Sequence, residues 1–508
     1  MGHSEGGRST TWEASDTLTI KNIASYATAR ERYSFNITGD NFPGVFVTNT
    51  FPGPHVGQDH RGNFTEELQF QGRTANDRLS WQFGGYLERS EPQGGQFGSQ
   101  QQYTAIYVRD CIDIYSFKCT AFSPASSISI ANNVYTYRTH GVYAQATFNL
   151  TDQFAITAGV RNTWEYASVD ANNVRIVPTP SGVPTAVTCS RAATPSPNPG
   201  LALVNNLACT RSFTAKSNRP TWLINLDYKP NEDILIYAKW ARGYRGGGVN
   251  EANFGIETWS PEKLDTYEVG LKAGFDGAVS GNINLAGFWN EFKDQQTSVF
   301  IPACTNAPTC APTGINGIQN VAQSRIRGVE ADGTIRLGSN FNFDFGYAYL
   351  DAKVTGGGVP FCDNTRFICA QAVFLASGTR LLFAPKHRVT MTATYSLPVD
   401  QSLGDLSVGA TFVHTASQFQ THTNDLAFAV GAIPENYGLL PSTSLLNLNF
   451  NWKSVAGSPI DFAAFVTNVT NEKYRVATAG GLPSTGGEFY LAGEPRMYGL
   501  RLRYNFGR

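Results

Sequence analysis

The chain has 508 residues, 16% of them charged, and a net charge of -1, so nothing suggests a nucleic-acid partner. It is 41% hydrophobic with a mean hydropathy of -0.23, and no window approaches the roughly 20 apolar residues of a membrane helix, which excludes a helical membrane protein. Aromatics at 12% and 50 glycines suit many strands joined by polar turns.

The opening MGHSEGGRSTTWEASD has no apolar run, hence no signal peptide. Taken alone that points to the cytoplasm; it fits equally a chain whose true beginning lies upstream. TLTIKNIASY (Thr17–Tyr26) reads as the first strand, followed by a polar Gly/Pro loop. NFTEELQFQG (Asn63–Gly72) puts Phe64, Leu68 and Phe70 on one face, with Glu66 the exception. After the turn TAND, RLSWQFGGYLE alternates through Leu79, Trp81, Phe83, Gly85 and Leu87. A long segment to about residue 133 precedes GVYAQATFNL, and the turn TDQ leads into FAITAGVR. A Pro/Ala/Thr-rich segment to about residue 211 comes next, then WLINLDY, the turn KPNED and ILIYAKW.

The second half keeps this rhythm. GYRGGGVNEANFG is a loop before LDTYEVGLKAGF; the turn DGAVSG leads to NINLAGFWNEF. A Cys-containing loop precedes the pair SRIRGVEADGTIRL and FNFDFGYAYLDA, and another precedes HRVTMTATYSL and LSVGATFVH. SLLNLNFNW pairs with DFAAFVTNV. In the closing EPRMYGLRLRYNF, Tyr498, Leu500, Leu502, Tyr504 and Phe506 share one side, while Gly499, Arg501, Arg503 and Asn505 share the other. An apolar face bracketed by aromatics, opposite a polar face, suits a strand between lipid and a wet lumen. A soluble β-sandwich edge would share the alternation. It would not explain why connections run short, long, short, long, a pattern that crossing a bilayer imposes. The expectation is an all-β, antiparallel transmembrane barrel of about 16 strands, with short periplasmic turns, long extracellular loops and a periplasmic C-terminus.

The eight cysteines form four close pairs, Cys111/Cys119, Cys189/Cys209, Cys304/Cys310 and Cys362/Cys369, each inside a long connection. Loop disulfides are expected, each closing a loop for about 2–3 kcal/mol in the chain-entropy account, in an oxidising compartment. Metal binding is the rival use, but there is no CxxC and no nearby histidine run; no metal and no cofactor are expected. Tyr244, Arg245 and Asn250 of GYRGGGVN are the candidate ligand contacts, against the plainer reading that these glycines only make a tight loop. His414 and His422 read as ordinary strand-end residues. Arg501 and Arg503 face the lumen, where they are solvated or meet a plug. The seven histidines are scattered and no nucleophile–base motif stands out, so no enzyme is expected.

SPEKLDTYEVGLKAGFDGAVSGNINLAGFWNEFKDQQ resembles the mid-barrel signature of TonB-dependent outer-membrane receptors, as do ARGYRGGGVN, NVTNEKY (Asn468–Tyr474) and the closing GEPRMYGLRLRYNF. The likeness covers essentially the whole chain. It implies active uptake of a scarce small-molecule ligand such as a ferric siderophore, vitamin or sugar. The TonB–ExbB–ExbD complex would supply the energy, acting on a monomer embedded in outer-membrane lipid. Three departures accompany it. Such barrels have 22 strands and a plugged lumen, against about 16 here. The N-terminal plug and its TonB-contacting segment have no counterpart, so a C-terminal fragment is expected. Gly507 and Arg508 follow the terminal aromatic Phe506. Unpaired backbone groups at two sheet edges in lipid would cost several kcal/mol each. Either further strands complete the barrel or these close alone; the second case gives a passive porin-like channel. A surface adhesin is a third reading, for which no repeat or passenger domain speaks.

Overall fold

The computed structural model describes the backbone of residues 2–36, 45–48, 59–74, 76–93, 100–106, 108–113, 118–121, 126–177, 186–189, 209–250, 257–302, 314–357, 361–363, 368–370, 377–421, 424–425, 428, 431, 433–479 and 489–506. The main sheet has 21 strands, four of them short ladders within loops; the other seventeen form one antiparallel meander, each paired with the next. In chain order they are β1 (Gly2–Ser15), β2 (Leu18–Glu31), β3 (Asp59–Arg73), β4 (Leu79–Pro92), β5 (Ser127–Asn149), β6 (Phe154–Val177), β7 (Thr210–Asn231) and β8 (Ile234–Arg245). Then come β9 (Glu262–Phe275), β10 (Val279–Pro302), β11 (Gly314–Leu337), β12 (Phe341–Gly357), β13 (His387–Ser396), β14 (Asp405–Thr415), β15 (Thr443–Lys453), β16 (Ile460–Thr467) and β17 (Met497–Tyr504). Turns such as 16–17, 232–233 and 276–278 alternate with long connections such as 32–58 and 246–261, so the two rims differ as the loop lengths foretold.

Period-two alternation sorts the side chains by solvent. Val142, Val160, Val269 and Val329 stand exposed on the outer wall, Val269 at 61%. That exposure would be a liability in water, and it faces lipid without cost. The exception, Glu66, lies on this wall too, with Asn22 Nδ2 donating to its Oε1 at 3.1 Å. Polar groups such as the Lys239–Glu268 ion pair, 2.9 Å, occupy the inward face.

The structure differs from the sequence reading in two ways. The count is seventeen because Gly2–Ser15 pairs with β2 from Gly2↔Arg30 to Ser15↔Leu18. That segment is polar on both faces apart from Trp12, so alternation could not reveal it. Several strands also run far beyond the apolar stretches. FAITAGVR continues to Val177, GVYAQATFNL begins at Ser127 and WLINLDY at Thr210. β6, β10 and β11 have 24 residues each, about twice the 9–11 that cross a bilayer. Above the membrane both faces are wet, and the hydrophobic alternation vanishes while the ladder continues. β16 and β17, by contrast, have 8 residues each, so one side of the wall stands much taller.

The cysteines lie among the loop ladders. Cys111 and Cys119 fall on the two strands of a hairpin, Val108–Asp113 and Lys118–Ala121. Cys189 ends the strand Ala186–Cys189, and Cys209 is buried and disulfide-bonded. Cys362 and Cys369 face each other in register; directly opposed residues have Cα atoms about 4.5–5.5 Å apart, within disulfide range. Cys304 and Cys310, His422, Gly507 and Arg508 lie outside the described residues.

Candidate functional site

At the end of β8 the chain turns into the lumen. β8 leaves β7 above the Trp222↔Arg242 pair, and Gly246–Gly248 carry it inward. Close approach explains two of these glycines: a Cβ on Gly247 would strike the Trp259 carbonyl oxygen, and one on Gly248 the Trp259 indole. Gly247 N–H donates to Ser217 Oγ at 2.9 Å. Gly248 and Val249 pair with Trp259 and Thr258 as a small ladder. Val249, 4% exposed, packs among Tyr135, Val169 and Ala171 from the inward faces of β5 and β6.

The strap then reaches the opposite side of the site. Asn250 Nδ2 donates to Ile318 O (3.1 Å), and its Oδ1 accepts from Ile318 N–H (3.0 Å). The β12 ladder ends opposite Ala322, so among the described residues the β11 edge at Ile318 has no neighbouring strand; one carboxamide takes that place. Asn320 fastens the second limb: Oδ1 accepts from Ser260 N–H (2.7 Å) and Nδ2 donates to Ser260 O (2.8 Å).

All three sequence candidates belong to this strap or its root. Tyr244 O–H donates to the Thr163 carbonyl at 3.3 Å. Arg245 pairs with Glu262 at 2.9 Å, yet its own side chain is 63% exposed; the second Glu262 oxygen accepts from Gln296 N–H at 2.7 Å. Asn250 is 6% exposed with both amide atoms engaged. Arg245 therefore keeps an open side, while Tyr244 and Asn250 hold the strap.

Between strap and wall lies a cavity of about 520 Å³. Tyr135, Tyr137 and Trp259 give it aromatic walls; Glu31, Asp59 and Arg61 give it charge. Glu31 and Asp59 are directly opposite in register, an unfavourable like-charge pairing. The Arg61 guanidinium lies over the Tyr137 ring at 5.4 Å. At the end of β2, burial pushes the Tyr33 phenol up to about 12, with Asp59 and Glu31 adding to the rise. No group of three or more His, Cys, Asp or Glu able to hold a metal occurs among the described residues. Aromatic faces beside both signs of charge can hold and orient a flat polar molecule.

None of the cavity's six aromatic and charged side chains is legible locally, because they come from chain segments brought together only by the meander. The motif NVTNEKY has a structural task. Asn468, 3% exposed at φ 48°, donates from Nδ2 to Glu472 O (2.9 Å) and Glu494 O (3.1 Å) and accepts Glu472 N–H (2.8 Å). His414 meets Ser444 Oγ at 2.9 Å. Arg501 and Arg503 lie opposite Ala463 and Asp461.

The family described as TonB dependent receptor-like, beta-barrel matches residues 4–471. A probable TonB-dependent siderophore receptor of Acinetobacter baumannii, PiuA, is 22% identical over 428 residues, 79% of this chain and 50% of that protein. Thus the chain spans about half the length of the curated relative. The crystal structure of the ferric yersiniabactin uptake receptor FyuA from Yersinia pestis matches with a TM-score of 0.67 at 14% identity, over 99% of this chain and 61% of that one. That of PiuA from A. baumannii matches with a TM-score of 0.62 at 18% identity, over 98% and 64%. At such identities the structures attest the fold, and the family match carries the assignment: this chain belongs to the TonB-dependent receptors of the outer membrane, as part of their β-barrel.

Proposed function

We propose that the protein containing this chain takes up a scarce small-molecule ligand across the outer membrane, driven by the TonB–ExbB–ExbD complex through an N-terminal plug. The observation that carries this is the strap: a loop folded into the lumen, tied to β6, β7 and β11, with the 520 Å³ cavity beside it. A passive channel would gain nothing from a preformed cavity in its own path. Capture before transport needs one. Relatives named for siderophore uptake favour an iron chelate as the ligand. The receptor acts as a monomer in outer-membrane lipid, with loop disulfides Cys111–Cys119, Cys189–Cys209, Cys304–Cys310 and Cys362–Cys369.

The porin-like alternative meets a geometric objection. In an antiparallel meander of seventeen strands the first and last run the same way. Closing β1 on β17 would need a parallel seam, whereas an odd number of further strands gives an even, fully antiparallel barrel of the bacterial kind. A complete transporter therefore adds the plug and those strands ahead of β1. Uptake of a ferric siderophore is compared in cells carrying this chain or an upstream-extended form, each with and without TonB. Saturable, TonB-dependent uptake by the extended form alone is expected. Saturable TonB-dependent uptake by the short chain sinks the coupling argument, and TonB-independent leakage favours the channel.

A further inference from the structure

The outer wall of β8–β12 changes character above the apolar band. Val269, Leu285 and Val329 face outward, and over them run Trp240, Tyr267 and Trp289. Trp240 and Tyr267 stack with centroids 6.4 Å apart. Immediately above this aromatic row the same face becomes cationic. Arg242 lies over the Trp222 ring at 4.2 Å and forms a two-point ion pair with Asp265. Lys293 reaches the same carboxylate at 3.8 Å. Three strands on from Asp265, Asp351 sits between Arg327 (2.9 Å) and Lys353 (2.8 Å). Each aspartate is thus held between two cations, leaving one positive charge in excess at each.

One further cation raises that excess, and another is left short of hydrogen-bond partners. Lys263 is directly opposite Lys293 in register, a like-charge pair that is unfavourable without a counter-ion. Arg325 faces Glu291, but the Glu291 carboxylate accepts from Trp289 Nε1 at 3.2 Å, and the Arg325 guanidinium lies over the Trp289 ring at 4.9 Å with its Nε lacking a hydrogen-bond partner. Six cations therefore meet three carboxylates on one face. Their depth is set by the strands: Arg327 and Asp351 are each ten residues from the periplasmic ends of β11 and β12, Leu337 and Phe341. An apolar band is about 25 Å tall in such barrels, and tilted strands cross it in about 9–11 residues. The belt lies at the outer-leaflet headgroups.

We propose that this face binds phosphate-bearing lipid headgroups of the outer leaflet. Arg242, Arg327 and Lys353 would grip phosphate oxygens, while the Trp240–Tyr267–Trp289 row takes the glycerol or sugar region and the apolar wall below takes the acyl chains. Charge complementarity and continuity with the lipid-facing band select this occupant over a soluble protein, which could not reach the aromatic row without displacing lipid. The site follows from the outer wall alone and is independent of what the lumen transports.

The full receptor is placed in phosphatidylcholine nanodiscs doped with bis-phosphorylated lipid A, and retained lipid A is counted by native mass spectrometry. Lys293→Gln/Arg325→Gln/Lys353→Gln is compared with wild type and with Arg78→Gln/Lys229→Gln at the periplasmic end; heat-modifiable gel migration reports folding. The belt variant should bind lipid A on the order of a hundredfold more weakly, each cation near an anionic surface contributing several-fold. The periplasmic control and dephosphorylated lipid A set the reference. Equal retention by the folded belt variant overturns the proposal. So does loss of lipid A on adding millimolar inorganic phosphate alone, which would mark a free-anion site, or pairing of two receptor copies through this face. If the triple variant does not fold, Lys263→Gln, in no ion pair among the described residues, gives the same reading with a several-fold effect.

Discussion

Removing the Asn250 carboxamide tests whether the strap is a fixed part of the vestibule. Asn250→Ala deletes two hydrogen bonds, of 3.1 and 3.0 Å, to the backbone of Ile318. Among the described residues nothing else replaces them on that edge, because the β12 ladder ends at Gly357. Each lost bond contributes about 1 kcal/mol net, and a backbone group left covered and unpaired costs about 1–3 kcal/mol. Local destabilisation of about 2–4 kcal/mol follows, which lowers amide protection about thirtyfold to several hundredfold. Hydrogen exchange with peptide-level detection over 246–250, 257–261 and 314–320 reads this directly. β9 and the lower half of β10 serve as internal reference and should not change. Asn250→Asp should lose more than Asn250→Ala, since a carboxylate oxygen would then face the Ile318 carbonyl. Wild-type protection in both variants would refute the reasoning, because the strap would then be held by Val249 packing alone.

Three further outcomes follow from the same geometry. Gly248→Ala should displace Trp259 and weaken ligand capture by at least tenfold, whereas Gly243→Ala, with nothing within 4 Å of its added methyl, should bind as wild type; equal behaviour of the two variants would count against the close-packed strap. Non-reducing peptide mapping should recover Cys111–Cys119, Cys189–Cys209, Cys304–Cys310 and Cys362–Cys369 as four separate links, and any crossed link would refute the pairing. Tyr33 should titrate near 12 by selective carbon-13 NMR, and Glu31→Gln/Asp59→Asn should move it back toward 10. With its folded value raised, the neutral phenol is favoured in the native state; its contribution is complete below about 10 and is lost as pH rises through 12.

How much of this could be read from the chain depends on which solvent each segment meets. Inside the bilayer, lipid on one face and water on the other force alternation, so Leu79–Leu87 or Phe341–Phe345 declare their strand and their outer face without any tertiary knowledge. Once the strand leaves the membrane that constraint goes. Ser127–Thr139 and Ser168–Val177 continue the same ladders, but their sequence looks like loop because both faces are wet or covered by other loops. Gly2–Ser15 was invisible for a related reason: only Trp12 marks its outer face.

The site divides in the same way. GYRGGGVN could be singled out because it lies at the rim of a long loop with Tyr244, Arg245 and Asn250 available for contacts; its glycines serve close packing, since the Trp259 carbonyl and indole occupy the space that side chains at Gly247 and Gly248 would need. The role of Asn250 could not be read, since it depends on β12 being shorter than β11 by several residues at one rim. Glu31 and Asp59 are 28 positions apart across a long loop and meet only because β2 and β3 are in register. The cationic belt is the most instructive case. Each of Arg242, Lys293, Arg325 and Lys353 is an ordinary strand-end residue in sequence, and the excess of positive charge exists only after five strands are aligned side by side. A functional surface on a barrel is a row across strands, and a row is the one direction that a sequence does not display.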